Sequence, residues 1–234
     1  MTESIAEFAK TSLYFGFSIS VAAYFAGTLL QRRFRHPALN PLLLSVIFVI
    51  ILLTALKIEY AEYYESAKYI SYLLTPSTIC LAVPLYENIT LLKKDGRAIT
   101  AGIIAGTLTS LVSIFVLSKL LALKSEQYVT LLPKSVTTAI GASVSEELGG
   151  LTAITTAAII ITGIAGSLMS DTLCRLLKIT EPVAKGLALG TSSHAVGTAK
   201  AFELGEAEGA ISSLSVVAAG VITVILAPLF ARLM

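Results

Sequence analysis

Two short stretches hold side chains able to do chemistry in an otherwise apolar chain. Leu132-Pro133-Lys134-Ser135-Val136-Thr137-Thr138 surrounds one lysine with hydroxyls, and Gly190-Thr191-Ser192-Ser193-His194 places a histidine after two serines. Pro76-Ser77-Thr78 is a third, smaller cluster. A lysine inside a membrane segment is costly and points to function. Together with free N–H groups at helix N-termini, it suits an anion such as a carboxylate. Ser77, Thr78, Ser135, Thr137, Thr138, Ser192 and Ser193 are the candidate hydroxyl donors, and Lys134 the candidate counter-charge. Two roles stay open for Lys134, binding an anion or snorkelling to the interface from a hairpin tip. His194 is a further candidate for the substrate site, with two roles open: proton coupling near neutral pH, or a neutral imidazole joining helices.

Other chemistries find no support. Ser193 and His194 are adjacent in sequence, which does not make a nucleophile face its base. No HExxH, P-loop or paired-carboxylate arrangement occurs. Two distant histidines without a cysteine cluster give no metal site, and no cofactor is expected. Cys80 and Cys174 lie in apolar stretches and read as buried structural thiols. No basic tract suggests nucleic acid.

The 234 residues are 55% apolar and only 14% charged, against about 45–50% and about 25% in soluble domains. Apolar windows of about 20 residues, each able to cross a hydrocarbon core of roughly 30 Å, recur along the chain. The expected fold is therefore an all-α membrane protein: a polytopic helical bundle with inverted repeats, broken helices and a re-entrant hairpin. Eight segments are legible, at about 13–30, 41–58, 69–92, 98–121, 129–148, 153–177, 183–204 and 210–233. The third, with Pro76 and Pro84, the fifth, with Pro133, and the seventh, with Gly190 and Gly197, are poor lipid-facing helices. Broken helices persist only inside protein or beside a watery cavity.

Charge suggests how the halves relate. Arg32, Arg33 and Arg35 follow segment one and Lys93, Lys94 and Arg97 follow segment three, so both loops read as cytoplasmic. Glu59, Glu62 and Glu65 between them read as outside, with Tyr60, Tyr63 and Tyr64 as an aromatic belt. In the second half the signs swap: Glu146 and Glu147, then Arg175, Lys178 and Lys185, then Glu206 and Glu208. That swap implies an inverted repeat. The expected domains are 1–38, a first helix with a basic loop; 39–123, repeat 1, broken at Pro76 and Pro84; 124–150, a re-entrant hairpin; and 151–234, repeat 2, broken near Gly190–His194. Seven crossings result, with the N-terminus outside and the C-terminus cytoplasmic. Lys200 and Glu203 would pair near the outer end of segment seven.

At these motifs the chain resembles the LrgB/CidB family. Asn40-Pro41-Leu42-Leu43-Leu44-Ser45, Ala82-Val83-Pro84-Leu85-Tyr86, the Pro133–Thr138 stretch, His194-Ala195-Val196-Gly197-Thr198-Ala199 and Glu208-Gly209-Ala210-Ile211-Ser212-Ser213-Leu214 carry the likeness, which runs from about residue 13 to the C-terminus. The resemblance implies a bacterial inner-membrane protein of the kind called antiholin-like, with a plastid relative that exchanges glycolate and glycerate. It also implies links to pyruvate and to murein hydrolase control, and a small membrane partner of the LrgA/CidA type. Two positions depart from the family pattern. Ala139 stands where proline is usual, and Lys200 where arginine is usual, which weakens a bidentate carboxylate role there. The expected function is a secondary transporter of small monocarboxylates (glycolate, glycerate, pyruvate, lactate) and not an enzyme. It would work by alternating access at a midplane site in the lipid bilayer, within a homodimer by analogy with other inverted-repeat carriers. The alternative is a holin- or antiholin-like protein regulating murein hydrolase activity or export.

Overall fold

The computed structural model describes residues 12–34, 41–73, 76, 79–80, 82–87 and 89–234. Ser77 and Thr78, like Thr75, Arg35, His36 and Asn40, lie outside them. The described residues are helical, with no strand, and three helices are long and apolar enough to cross a bilayer. The protein is an all-α, multi-pass membrane protein. It divides into two compact units at Cys80/Leu81, within the stretch that Pro76 and Pro84 interrupt.

The first unit holds α1 (Phe15–Phe34), α2 (Pro41–Leu56) and α3 (Tyr60–Ser71). The stretch read above as an acidic loop is the helix α3. Its first-turn acids suit a helix N-terminus, and the Glu62 carboxylate accepts the Glu59 N–H at 3.1 Å. Its buried side meets α1, where the Gly16 N–H donates to Ser66 Oγ at 2.8 Å and Ser20 Oγ lies 2.6 Å from the Tyr63 hydroxyl. Cys80, expected to be buried, is exposed, and Cys174 of the second unit is only half-buried.

The second unit opens with two six-residue helices, α4 (Ala82–Glu87) and α5 (Ile89–Lys94), followed by α6 (Gly96–Leu120). Then come α7 (Ser125–Leu131) and α8 (Thr138–Glu147). Neither is long enough to span, since a crossing needs about 20 residues. They form a helical hairpin whose base is fixed by the Tyr128 hydroxyl donating to the Phe230 carbonyl at 3.0 Å. Its flank is fixed to α9 (Thr152–Leu176), where Thr155 Oγ1 lies 2.8 Å from the Thr130 carbonyl and 2.6 Å from Ser145 Oγ.

The last two helices, α10 (Pro182–Leu204) and α11 (Glu206–Ala231), overturn one expectation. Segment seven was read as a single interrupted crossing, and it is a second re-entrant hairpin. Helical geometry fails at His194 (φ 43°, ψ −135°), and the chain reverses there. A Cβ on Gly197 would lie 2.5 Å from the Leu189 carbonyl oxygen, eight residues earlier; in a straight helix those residues are about 12 Å apart. The first arm, 182–193, runs parallel to α11, because Gly186 faces Glu208 and Ile211 while Gly190 faces Ser212 and Ser215. The second arm, 195–204, runs antiparallel to α11, with Thr198 Oγ1 2.8 Å from Ser212 Oγ and Gly209 against the Phe202 ring. Both arms start from one end of the unit, as Lys185 and Leu204 line the same cavity.

This reversal also removes the repeat frame expected above. Gly102 and Gly106 of α6 face Leu187 and Thr191 of the first arm in the same order, so α6 is parallel to α11. Elements related by inversion must be antiparallel, and 39–123 and 151–234 both close on these two parallel helices. The antiparallel pair is α6 and α9. Ile99, Ile103, Thr107, Leu111 and Ile114 are buried on α6, and at one constant spacing Thr155, Ile159, Gly163, Ser167 and Ser170 are buried on α9. Both helices end alike, with Ala122 (φ 50°) and Lys178 (φ 54°) in the left-handed region. After each, an N–H reaches back five residues, from Leu123 to the Ser118 carbonyl and from Ile179 to the Cys174 carbonyl.

The contact between the first arm and α11 sets one expected outcome. A Cβ at Gly190 would sit 2.6 Å from the Ser212 carbonyl oxygen, whereas one at Gly96 meets nothing within 4 Å. Gly190→Leu should therefore lower stability in detergent by about 1–3 kcal/mol through overpacking. Gly96→Ala should leave the melting temperature unchanged or raise it slightly.

Candidate functional site

The two hairpins enter from opposite ends of the second unit and meet tip to tip. The first tip carries Pro133, Lys134 and Ser135; the second carries Thr191, Ser192, Ser193 and His194. Between them lies a narrow cleft of about 10 Å³, enough for about one water molecule. Thr107, Ser110, Pro133, Ser135, Thr191, Ala219 and Thr223 line it. Thr223 and Ala219 stand near the middle of α11, so the cleft is midway through that 26-residue helix.

Lys134 is half-buried and its Nζ donates to Ser135 Oγ at 3.1 Å. Ser135 Oγ also accepts the Ser110 hydroxyl at 2.9 Å, which ties the tip to α6. Among the described residues no carboxylate pairs with Lys134, whereas Lys68 and Lys200 both have acidic partners. A cation away from bulk water without a counter-charge is unfavourable, so the tip is electrostatically set to receive an anion. Thr137 is the N-cap of α8 and makes no side-chain capping bond, and Thr138 is exposed beside it. Their hydroxyls and the first N–H groups of α8 stay available next to Lys134.

At the second tip the side chains are committed. His194 is buried, and its Nε2 donates to the Ile159 carbonyl at 2.9 Å. Its backbone carbonyl accepts the Thr198 hydroxyl at 3.0 Å. A non-glycine residue at positive φ costs about 1–3 kcal/mol, and these two bonds hold it there. The imidazole therefore does the joining work, binding α10 to α9. Ser192 Oγ donates to the Ala188 carbonyl at 2.6 Å and lies 3.0 Å from Ser193 Oγ. Ser193 is fully buried against Gly166, where a Cβ would come within 1.8 Å of its hydroxyl oxygen. Ser193 and His194 thus turn to different partners. Thr191 of this tip shares the cleft lining with Pro133 and Ser135 of the first, which places the two tips side by side.

Sequence reasoning brought Lys134, Ser135, Thr137 and Thr138 to the first tip and Ser192, Ser193 and His194 to the second. It missed Thr107, Ser110, Thr191 and Thr223, which line the cleft. Thr107 and Ser110 resembled ordinary small residues of helix packing; the lone hydroxyl at Thr223 in an apolar stretch was the available signal. Lys200, expected to pair with Glu203, does so at 3.1 Å and also bridges to Asp171 at 3.0 Å. That pair lies toward the hairpin base, the end that carries Arg175, not at an opposite, outer end.

The Gly166–Ser193 contact gives a test. Gly166→Ala should displace the second tip and lower stability by about 1–3 kcal/mol. Adding Ser193→Gly should recover much of that loss, so that a double-mutant cycle of melting temperatures shows coupling of about 0.5 kcal/mol or more. Additive effects would mean that the two residues do not touch.

A model of the LrgB-like family matches residues 20–233. The chain is similar to the "Antiholin-like protein LrgB" of Bacillus cereus (strain B4264), with 36% identity over 93% of this chain and 95% of the relative. The protein of the same name from Bacillus anthracis (strain A0248) matches with the same identity and coverage. No solved structure matches.

Proposed function

The chain belongs to the LrgB-like family, and on that premise we propose that it is a secondary carrier of small monocarboxylate anions of the glycolate, glycerate, pyruvate and lactate class. One observation carries the reading: Lys134, with no acidic partner among the described residues, stands where two opposed re-entrant tips meet halfway through the unit. Opposed broken helices around a polar midplane site suit alternating access. A passive pore has no use for them. Lys134 would neutralise the carboxylate, with Ser135, Thr137 and Thr138 orienting it. The cleft must widen to admit it, because a three-carbon acid is several times larger than one water.

We read α6 with its hairpin, 96–148, and α9 with its hairpin, 152–204, as the inverted pair. Arg175, Lys178 and Lys185 mark their end of the unit as cytoplasmic. Because α10 returns to that end, α11 carries the C-terminus to the outside, the reverse of the sequence expectation. Placement in a bacterial inner membrane, a homodimer and a small LrgA/CidA-type partner belong to this reading. The relatives' name supports a second one, in which the protein is antiholin-like and acts on murein hydrolase release through membrane leakage.

Uptake of labelled glycolate, pyruvate and lactate into proteoliposomes decides between them. The carrier shows saturable uptake of at least one acid, reduced tenfold or more by Lys134→Ala. Size-limited leakage of unrelated solutes, indifferent to Lys134, would favour the second reading.

A further inference from the structure

A larger cavity, of about 780 Å³, opens at the base of the second hairpin, well away from the tips. The first arm has 12 residues, so base and tip are about 18 Å apart. Asp171, Cys174 and Arg175 reach the cavity from α9, Lys178, Ile179 and Thr180 from the connecting turn, and Lys185 and Leu204 from the two arms. Three cations thus face one carboxylate, and that carboxylate is already bound to the Lys200 ammonium at 3.0 Å. Arg175 is held in place, its Nε donating to the Asp171 carbonyl at 3.2 Å. Lys178 is fixed at the left-handed position that ends α9.

We propose that this cavity is a second anion site, a vestibule in which a small carboxylate is concentrated before it moves along the second arm to the hairpin tips. A cleft with an excess of one charge sign raises the local concentration of the opposite ion. The positions of the lysines fit a path: Lys178 and Lys185 at the mouth, Lys200 on the second arm between base and tip, and Lys134 at the end. Asp171 and Glu203 hold Lys200 between them, so an anion arriving in the vestibule competes for a cation already poised beside the path. The choice of ligand rests on the carrier reading, whereas the positive field does not.

Cys174 lines the cavity and offers a direct probe. With Cys80→Ser to remove the other, exposed thiol, the full-length protein is reconstituted in phosphatidylcholine vesicles. Cys174 is then modified with an anionic sulfonatoethyl or a cationic trimethylammonioethyl methanethiosulfonate, each rate normalised to a free thiol. The anionic reagent should be favoured about tenfold at low salt, with the preference fading toward parity near 1 M salt, where the Debye length is about 3 Å. Lys178→Gln with Lys185→Gln should cut the preference severalfold while leaving the melting temperature unchanged, and pyruvate should slow modification when both lysines are present. Equal rates for the two reagents, or a preference indifferent to both lysines, would overturn the vestibule. So would slowing by added phosphatidylglycerol but not by pyruvate, which would assign the charge to a lipid headgroup. Anion preference and pyruvate protection without uptake would keep the vestibule and discard the carrier; uptake without preference would do the opposite.

Discussion

The reversal of the chain at His194 is the constraint on which the second unit depends. In hydrocarbon an unsatisfied backbone group costs several kcal/mol, so a chain can turn back at mid-depth only where protein or enclosed water surrounds the turn. Everything around the second tip serves that condition. Gly163 and Gly166 bring α9 close, the imidazole reaches the Ile159 carbonyl, and Thr198 bridges the reversed arm to Ser212. Gly186 and Gly190 let the first arm lie directly on α11. The small and hydroxylated residues of this region are therefore the means by which three chain segments share the width normally taken by two.

Once the second hairpin exists, the first has a counterpart. Tyr128 and the Thr130–Ser145–Thr155 cluster fix its base and flank, and its tip brings Pro133 and Ser135 to the cleft, with Lys134 bonded to Ser135 beside it. In the carrier reading, the tips are the places where an anion would be met by an ammonium, hydroxyls and a helix N-terminus together.

Much of this was legible from residues alone. Low charge and long apolar windows point to the class, Pro133 with Lys134 to the first hairpin and its tip, and Gly190 and Gly197 to an interruption in segment seven. Direction was not legible. The 182–204 stretch has no proline at its turn, and the contacts that reveal reversal run between Gly186, Gly190 or Gly197 and residues distant in sequence. Charge then misled. Glu206 and Glu208 read as an outside loop, but they stand in the first turn of α11, where acids complement the helix dipole, and acids weigh little in the positive-inside rule. The sequence reads 59–68 as loop for a similar reason, taking its charges as solvent exposure when they also favour a helix.

The sidedness of three positions tests the central reversal most directly. In a protein with Cys80 and Cys174 replaced by serine, single cysteines at Thr180, Glu206 and Leu233 are exposed in sealed vesicles to a membrane-impermeant maleimide. Reversal at His194 requires Thr180 and Glu206 to react from one face and Leu233 from the other. Labelling of Thr180 and Glu206 from opposite faces would make α10 a single crossing and would remove the tip-to-tip site.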